Sequence, residues 1–80
     1  MFCVYILYSS KFDRYYVGMS SEIYERLKTH NSGKVKSTKS YVPWELFYKE
    51  TLNTRIEARK REKYLKSAAG RKWRKNNLGM

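Results

Sequence analysis

The chain has 80 residues, of which 41% are hydrophobic and 16% aromatic, and its 18 lysines and arginines against seven acids give a formal charge of +11. This length allows a single domain over residues 1–80 with one modest core, and the composition excludes a globally disordered polypeptide. The positive charge predicts a polyanionic partner, nucleic acid first, with an acidic membrane surface or simple solvation as alternatives.

The only cysteine is Cys3, which excludes an intramolecular disulfide and a cysteine-based zinc site. It lies in an apolar run, which indicates a buried small hydrophobic residue. The first dozen residues lack the features of a signal peptide, and no run approaches the ~20 apolar residues that span a bilayer. We therefore expect a cytoplasmic protein with no membrane partner and no obligate protein partner.

The N-terminal third predicts a β-hairpin followed by a helix. Residues 2–8 (FCVYILY) are apolar on both alternating faces, which is typical of a central strand covered on both sides. A polar loop at 10–14 leads to a return strand at 15–20 (YYVGMS). Ser21 is the expected N-cap of a helix that runs to about His30.

Within that helix Ile23 and Leu27 should face inward, and Asn31 and Gly33 should end it. Residues 34–42 (KVKSTKSYV) are basic and rich in Ser and Thr, which indicates an exposed loop. Residues 44–52 (WELFYKETL) alternate as a third strand. One side of that strand is expected to carry Trp44, Leu46 and Tyr48.

A second helix is predicted from Thr54 to about Lys66. Its expected apolar side chains are Ile56, Ala58, Tyr64 and Leu65. Gly70 then breaks or restarts the chain before a short helix anchored by Trp73. The order ββαβαα predicts a small α+β domain with a three-stranded, mainly antiparallel sheet flanked by helices.

The first helix carries Arg26 and His30 four residues apart, on one face. They form either a solvated basic stripe or, because the helix follows a hairpin bearing Tyr5 and Tyr16, part of a site. A guanidinium suits bidentate contact with phosphate. Phosphodiester cleavage needs a base, positive charge and usually a metal held by a carboxylate.

Glu57 stands out among the seven acids as the candidate metal ligand, but its position has two interpretations. Thr54-x-x-Glu57 matches a capping box, in which the glutamate folds back onto the start of its helix. A single carboxylate also suits Mg²⁺, which keeps most of its waters and shares the phosphate oxygens of a substrate. The two roles do not exclude each other.

Residues 55–75 hold ten of the eighteen lysines and arginines and only two acids. This run is either a solvated face or a track for a phosphate backbone, which we favour. The expected nucleic-acid contacts are Lys34, Lys36, Lys39, Arg55, Arg59, Lys63, Lys66, Arg71 and Lys72. If six to ten phosphates are contacted, affinity should fall by roughly 10³–10⁵ between about 50 and 200 mM salt.

Five segments in order resemble the GIY-YIG nuclease superfamily, and in particular its short, single-domain bacterial branch. VYIL stands where the family has GIY, and YVG stands where it has YIG. The other three are ERLKTHNSG, STKSYVPWELFYKE and IEARKREKYLKSAAGRKW. The match covers nearly the whole chain with compatible spacing.

The resemblance implies a one-metal phosphodiesterase acting on DNA, or alternatively on RNA, in repair or recombination. Tyr16 would be the general base on the attacking water, and Tyr5 would position that water or the scissile phosphate. Arg26 would stabilise the negative charge of the transition state. His30 would hydrogen-bond within the site and assist proton transfer. Glu57 would hold a single Mg²⁺ or Mn²⁺ on the leaving-group side.

By the same resemblance, Gly18 would let backbone and substrate approach closely, and Asn31 would cap the helix rather than do chemistry. Val4 replaces the first glycine of GIY and is expected in the core, opposite to Tyr5. Val17 for isoleucine is nearly neutral. Met19 stands where some relatives carry a lysine, so activation of Tyr16 would depend on Arg26 and the metal.

Two further interpretations remain open: a nucleic-acid-binding module that has lost cleavage, and a partner-binding protein that uses Trp44 and Trp73. Both tryptophans fit more simply as core anchors. The enzyme interpretation also sets a condition on the hairpin. Paired residue numbers must sum to an odd value, because only then do Tyr5 and Tyr16 share a face.

Overall fold

Three antiparallel strands form the centre of the structure, a computed structural model that describes residues 1–80. The central strand β1 (Phe2–Ser9) lies between β2 (Arg14–Ser20) and β3 (Glu45–Leu52). The other elements are α1 (Ile23–Asn31), a 3₁₀ helix (Lys39–Tyr41), α2 (Arg55–Lys66) and α3 (Ala68–Leu78). The α+β class, the order ββαβαα and the antiparallel sheet are confirmed. None of the helices is both long and apolar enough to cross a membrane.

The central strand is buried on both faces, as its sequence predicts. One hydrophobic cluster, packed with α2, contains Val4, Ile6, Val17, Ala58 and Leu65. The other, on the side of α1, contains Tyr5, Leu7, Ile23 and Trp44. Val4 therefore lies in the core opposite to Tyr5, as expected. Both faces of β1 are excluded from water because each is covered by a different part of the chain.

The hairpin has the register that the enzyme interpretation requires. Tyr5 pairs with Gly18, and Leu7 pairs with Tyr16. The paired numbers sum to an odd value, and alternate residues of a strand share a face. Tyr5 and Tyr16 therefore lie on the same side of the sheet.

A β-bulge changes the faces of β3. Ile6 pairs with Tyr48, but Leu7 pairs with Leu46, so Phe47 is an extra residue on β3. Leu46 consequently packs against the cluster on the side of α1, whereas Tyr48 packs against the cluster under α2. The prediction that these two side chains share a face is wrong, because the extra residue interrupts the two-residue period.

The start of α1 also differs from the prediction. Ser21 is not the N-cap, because the helix begins at Ile23 and Glu22 occupies the cap position without a side-chain cap bond. Ser20 Oγ instead accepts a hydrogen bond from the Glu22 backbone N–H at 2.9 Å. The predicted end is confirmed, because Gly33 follows the helix with a φ of +78°, which a glycine adopts without strain.

Residues 34–42 are not simply an exposed loop. They include the 3₁₀ helix, and the side chain of Thr38 is fully buried. The Trp44 backbone N–H donates to Asn31 Oδ1 at 2.6 Å, and Asn31 Nδ2 donates to the Trp44 carbonyl at 2.9 Å. These bonds fasten the end of the loop to the end of α1, so the loop covers the face that carries Tyr5.

The buried face of α2 is only partly the predicted one. Ala58 and Leu65 are fully buried, but Ile56 is 70% exposed and Tyr64 is 38% exposed. The third buried residue of this helix is Glu62, which was not predicted to be buried. Positions 58, 62 and 65 follow the period of a helix, whereas the prediction grouped side chains by hydrophobicity rather than by spacing.

Gly70 does not break the chain, since α3 begins before it at Ala68. A Cβ at this position would overlap the carbonyl oxygen of Tyr64 and lie 2.6 Å from Leu65 Cα. Glycine is therefore needed for close packing of α3 on the end of α2. Trp73 anchors α3 as predicted, with its ring centroid 6.2 Å from that of Tyr48.

Both tryptophans pack in the core, as the simpler interpretation predicts. Trp44 is 5% exposed, and Trp73 is half-buried against the cluster under α2. Cys3 is half-buried rather than buried. Its position beside the cluster on the side of α1 still agrees with a packing role.

Candidate active site

A buried chain of hydrogen bonds runs from Tyr5 through His30 to Thr38. Tyr5 Oη lies 3.1 Å from His30 Nε2, and His30 Nδ1 lies 2.9 Å from Thr38 Oγ1. The Thr38 hydroxyl donates to the Val35 carbonyl, so it accepts from His30 Nδ1–H. This assigns Nε2 as the acceptor of the Tyr5 hydroxyl proton.

The surroundings keep both Tyr5 and His30 uncharged. Burial raises the pKa of Tyr5 above the ordinary phenol value, and the nearby Arg26 opposes that shift only in part. Burial, aided by the positive charge of Arg26, lowers the pKa of His30 below its ordinary value. Near neutral pH the pair is a neutral donor and a neutral acceptor, so Tyr5 is positioned rather than ionised.

Tyr16 has a different environment from Tyr5. The hydroxyls of Tyr5, Tyr8 and Tyr48 are each hydrogen-bonded within the chain, whereas that of Tyr16 has no such partner. Its ring is half-buried, with its centroid 4.9 Å from that of His30. Tyr16 and its neighbour Tyr15 line an open cavity of about 330 Å³, so Tyr16, unlike the buried Tyr5, can be reached by a substrate.

Gly18 makes this arrangement of tyrosines possible. A Cβ at this position would lie 2.6 Å from Tyr5 Oη and 3.1 Å from Tyr16 Cε1. Both distances are shorter than ordinary carbon contacts, and Tyr5 has no room to move because it is 2% exposed. The absence of a side chain at Gly18 therefore leaves room for the ring of Tyr5.

Arg26 lies on α1 beside the tyrosines and is half-buried. It forms none of the three ion pairs of the structure, and its charge acts on both Tyr5 and His30. Its guanidinium is thus available to an anion. Asn31 is exposed and holds the Trp44 backbone, so it fastens the loop instead of capping its own helix.

Glu57 lies in the first turn of α2 in a capping arrangement. Its backbone N–H donates to Thr54 Oγ1 at 3.1 Å, and the Thr54 hydroxyl donates to Glu57 Oε1 at 3.0 Å. The neighbouring Arg55 and Ile56 line a different cavity of about 710 Å³. From Glu57 to Lys66, which lines the cavity of Tyr16, the helix rises roughly 13 Å. The structure therefore does not bring Glu57 to the tyrosines.

Glu62 is the acid that the sequence analysis missed. It is 6% exposed, and its negative charge contributes to raising the pKa of Tyr5. Its carboxylate oxygens lie 3.1 Å from Arg59 Nη1 and 3.3 Å from Lys66 Nζ. Lys66 and Tyr16 line the same cavity, which places Glu62 next to the tyrosines. The signal was available: Glu62 is four residues after Ala58 and three before Leu65, on the buried face, where an acid is unusual.

The nine predicted nucleic-acid contacts are all exposed. Arg55, Arg59 and Lys63 line the larger cavity, together with Lys60. Lys66 and Arg71 line the cavity of Tyr16. The remaining four are Lys34, Lys36, Lys39 and Lys72. Arg74, which is not among the nine predicted contacts, also lines the cavity of Tyr16.

No group of three or more His, Cys, Asp or Glu side chains lies together in the structure. A resident metal would therefore be held by at most two such side chains, with water and substrate oxygens completing its coordination, as Mg²⁺ accepts. Glu62 fits this requirement, because its two partners have exposed side chains, 63% for Arg59 and 52% for Lys66, that are free to turn away.

Comparison with known proteins gives a consistent result. Residues 1–77 match the family model described as the GIY-YIG catalytic domain. The UPF0213 protein YazA of Bacillus subtilis is 38% identical over 63 residues, which are 78% of this chain and 64% of that protein. A UPF0213 protein of Bacillus licheniformis is 44% identical over 52 residues, 64% of this chain and 54% of that protein. The chain thus spans between about half and two thirds of the length of these relatives.

A solved structure has the same fold. The solution NMR structure of a UPF0213 protein from Bacillus halodurans superimposes with a TM-score of 0.56 at 31% sequence identity. The match covers 95% of this chain and 82% of that one. The order of strands and helices described above therefore belongs to a fold already seen by experiment.

Proposed function

The chain belongs to the GIY-YIG catalytic domain family, and from this premise we propose that it is a metal-dependent nuclease that hydrolyses phosphodiester bonds in DNA. One observation carries the proposal: a phenol without a partner, a guanidinium without an ion pair and a buried carboxylate all lie close enough to Tyr5 to act on its pKa. These are Tyr16, Arg26 and Glu62. Hydrolysis of a phosphodiester needs these three kinds of group. The same groups would also act on RNA, so the test compares DNA with RNA substrates.

In the proposed reaction the phenolate form of Tyr16 takes a proton from the water that attacks phosphorus, and the bond from phosphorus to the leaving oxygen breaks. Arg26 stabilises the negative charge that develops on the phosphoryl oxygens, because its guanidinium has no competing acid. Tyr5, fixed by His30 beneath Gly18, holds the shape of the site. His30 stays neutral, which avoids a second positive charge next to Arg26.

The proposed metal is Mg²⁺ or Mn²⁺. When bound, such an ion supplies positive charge for the leaving oxygen. The resemblance points to Glu57 as its ligand, whereas the geometry supports Glu62, the acid next to the cavity of Tyr16. We favour Glu62, because the Glu57 carboxylate is engaged by Thr54 at the far end of the helix.

A second candidate function is a binding module that has lost cleavage. The observation in its favour is that Glu62 is already neutralised by Arg59 and Lys66. A site satisfied in this way is stable without a metal. The basic residues along α2 would then bind nucleic acid without cutting it.

The test is a cleavage time course on labelled single-stranded, duplex and branched DNA and on matched RNA, at low salt with Mg²⁺, Mn²⁺ or EDTA. Wild type is compared with Glu62→Gln and Glu57→Gln, and Glu45→Gln on the exposed face of β3 is the control. We expect metal-dependent products and a loss of about 10²-fold or more in Glu62→Gln, which exceeds the loss in Glu57→Gln.

The other outcomes are equally clear. A larger loss in Glu57→Gln would place the metal at the start of α2. If wild type binds these substrates but cuts none of them above the EDTA background, the protein is a binding module.

A further inference from the structure

The cavity beside Tyr16 is unusually rich in positive charge. It has a volume of about 330 Å³ and is lined by Tyr15, Tyr16, Val17, Lys66, Arg71 and Arg74. Three of these six residues are cationic, and none is acidic. The two arginines come from α3, an element to which the proposed mechanism assigns no role.

Arg74 is the residue that the rest of the fold does not explain. It is half-buried, takes part in no ion pair, and its Nε is buried without a hydrogen-bond partner. Burial, aided by the charge of Arg71, lowers the pKa of Arg74. A buried donor of a charged group without a partner is unfavourable, because it loses its hydration and gains no hydrogen bond in return. The charge of Arg74 is therefore partly buried without compensation in the chain alone, and an anion beside the guanidinium would offset this burial.

The neighbours of Arg74 do not supply that anion. Glu62 lies 3.3 Å from Lys66 Nζ and 3.1 Å from Arg59 Nη1, so its two oxygens are already used. Arg71 is exposed and also forms no ion pair. Two guanidiniums thus face one small cavity without a partner, and this group favours the oxygens of a phosphate.

We propose that this cavity is a subsite for a backbone phosphate of the bound strand, next to the phosphate that is attacked. The inference rests on the proposed function and deepens it, because it fixes the direction in which the strand leaves Tyr16. Arg74 donates from its terminal nitrogens, and Arg71 closes the subsite from the solvent side. Tyr15 offers its 36% exposed ring to the adjoining nucleotide.

The experiment measures binding, not cleavage. Anisotropy titrations in EDTA use a fluorescein-labelled single-stranded oligothymidylate with wild type, Arg74→Gln and Lys75→Gln, an exposed cation on the same helix. We expect Arg74→Gln to weaken binding about tenfold or more and to lower the slope of log affinity against log salt by about one. Lys75→Gln should have a smaller effect on both quantities.

Two readouts keep a structural role apart from a binding role. Arg74→Gln should be at least as stable to urea as wild type, because it removes an unpaired buried charge. The NMR signal of the Arg74 Nε–Hε group should shift when the oligothymidylate is added. An unmoved signal, or equal binding losses in Arg74→Gln and Lys75→Gln, would overturn the subsite.

The result is separable from the outcome for catalysis. Because the titrations contain EDTA and no metal ion, they report on the subsite whether or not the protein cleaves. A protein that never cuts but shows the shift would contradict the nuclease proposal and keep the subsite. A protein that cuts without the shift would support the nuclease proposal and overturn the subsite.

Discussion

Tyr5 and Tyr16 have the same side chain, but their surroundings give them different roles. Tyr5 is 2% exposed and bonded to His30, whereas Tyr16 faces an open cavity without a partner. The contribution of both tyrosines and of Gly18 to the site could be predicted from the sequence, because a hairpin is local and its register has only two parities. The role of Thr38 could not be predicted, since the burial of its hydroxyl depends on how a long loop folds back.

His30 makes the stability of the protein depend on pH. Its pKa lies below the ordinary 6.5 in the folded chain, so the unfolded chain binds the proton more readily. The free energy of unfolding should therefore be unaffected by His30 above pH 6.5 and should fall as the pH drops below it, until the folded chain also takes up the proton.

The measurement is urea unfolding between about pH 7.5 and pH 5. His30→Asn should be less stable than wild type at the upper limit, because it breaks the bonds to Tyr5 and Thr38. It should also lose less stability on acidification than wild type does. An unchanged slope in His30→Asn would show that other groups cause the dependence.

At the scale of elements, the prediction succeeds where a local period decides the structure and fails where packing does. The strands and the span of α2 follow from alternation and from the Thr54 cap. The bulge at Phe47 and the burial of Glu62 do not, because each is set by the neighbouring layer. The sequence therefore singles out Glu57 and not Glu62. Glu57 matches a local motif, whereas Glu62 becomes noticeable only when the buried face of α2 is read by spacing.

Gly70 tests the close approach of α3 to α2. In an exposed helix position alanine is more stable than glycine by about 1 kcal/mol. At position 70 we expect the opposite sign, because a Cβ would overlap the Tyr64 carbonyl and crowd Leu65 Cα, both of them backbone. Gly70→Ala should lose about 3 kcal/mol or more.

Thermal unfolding measures this effect, since each kcal/mol shifts the Tm of such a small domain by about 4–8 °C. Ala69→Gly, at the exposed position next to it, is the control and should lose only about 1 kcal/mol. A Gly70→Ala protein as stable as wild type would mean that α3 does not pack as described.

Over the whole molecule, the charge of +11 is concentrated along α2 and α3. Arg55, Arg59 and Lys63 line one cavity at the start of α2, and Lys66 leads to the cavity of Tyr16 at its end. Composition alone predicts a polyanionic partner. Only the fold shows that the basic residues connect two cavities, one of which is lined by Tyr16. This arrangement depends on how α2 packs along the sheet.

The most direct test of the account is the single-turnover cleavage rate of Tyr16→Phe in saturating Mg²⁺, on whichever DNA form wild type cuts best. The variant removes one oxygen and keeps the ring that packs against His30, so it should fold and bind as wild type does. Tyr24→Phe, 62% exposed on α1, is the control. We predict a rate at least about 10²-fold lower for Tyr16→Phe at unchanged affinity. A rate within a few-fold of wild type would contradict the site described here.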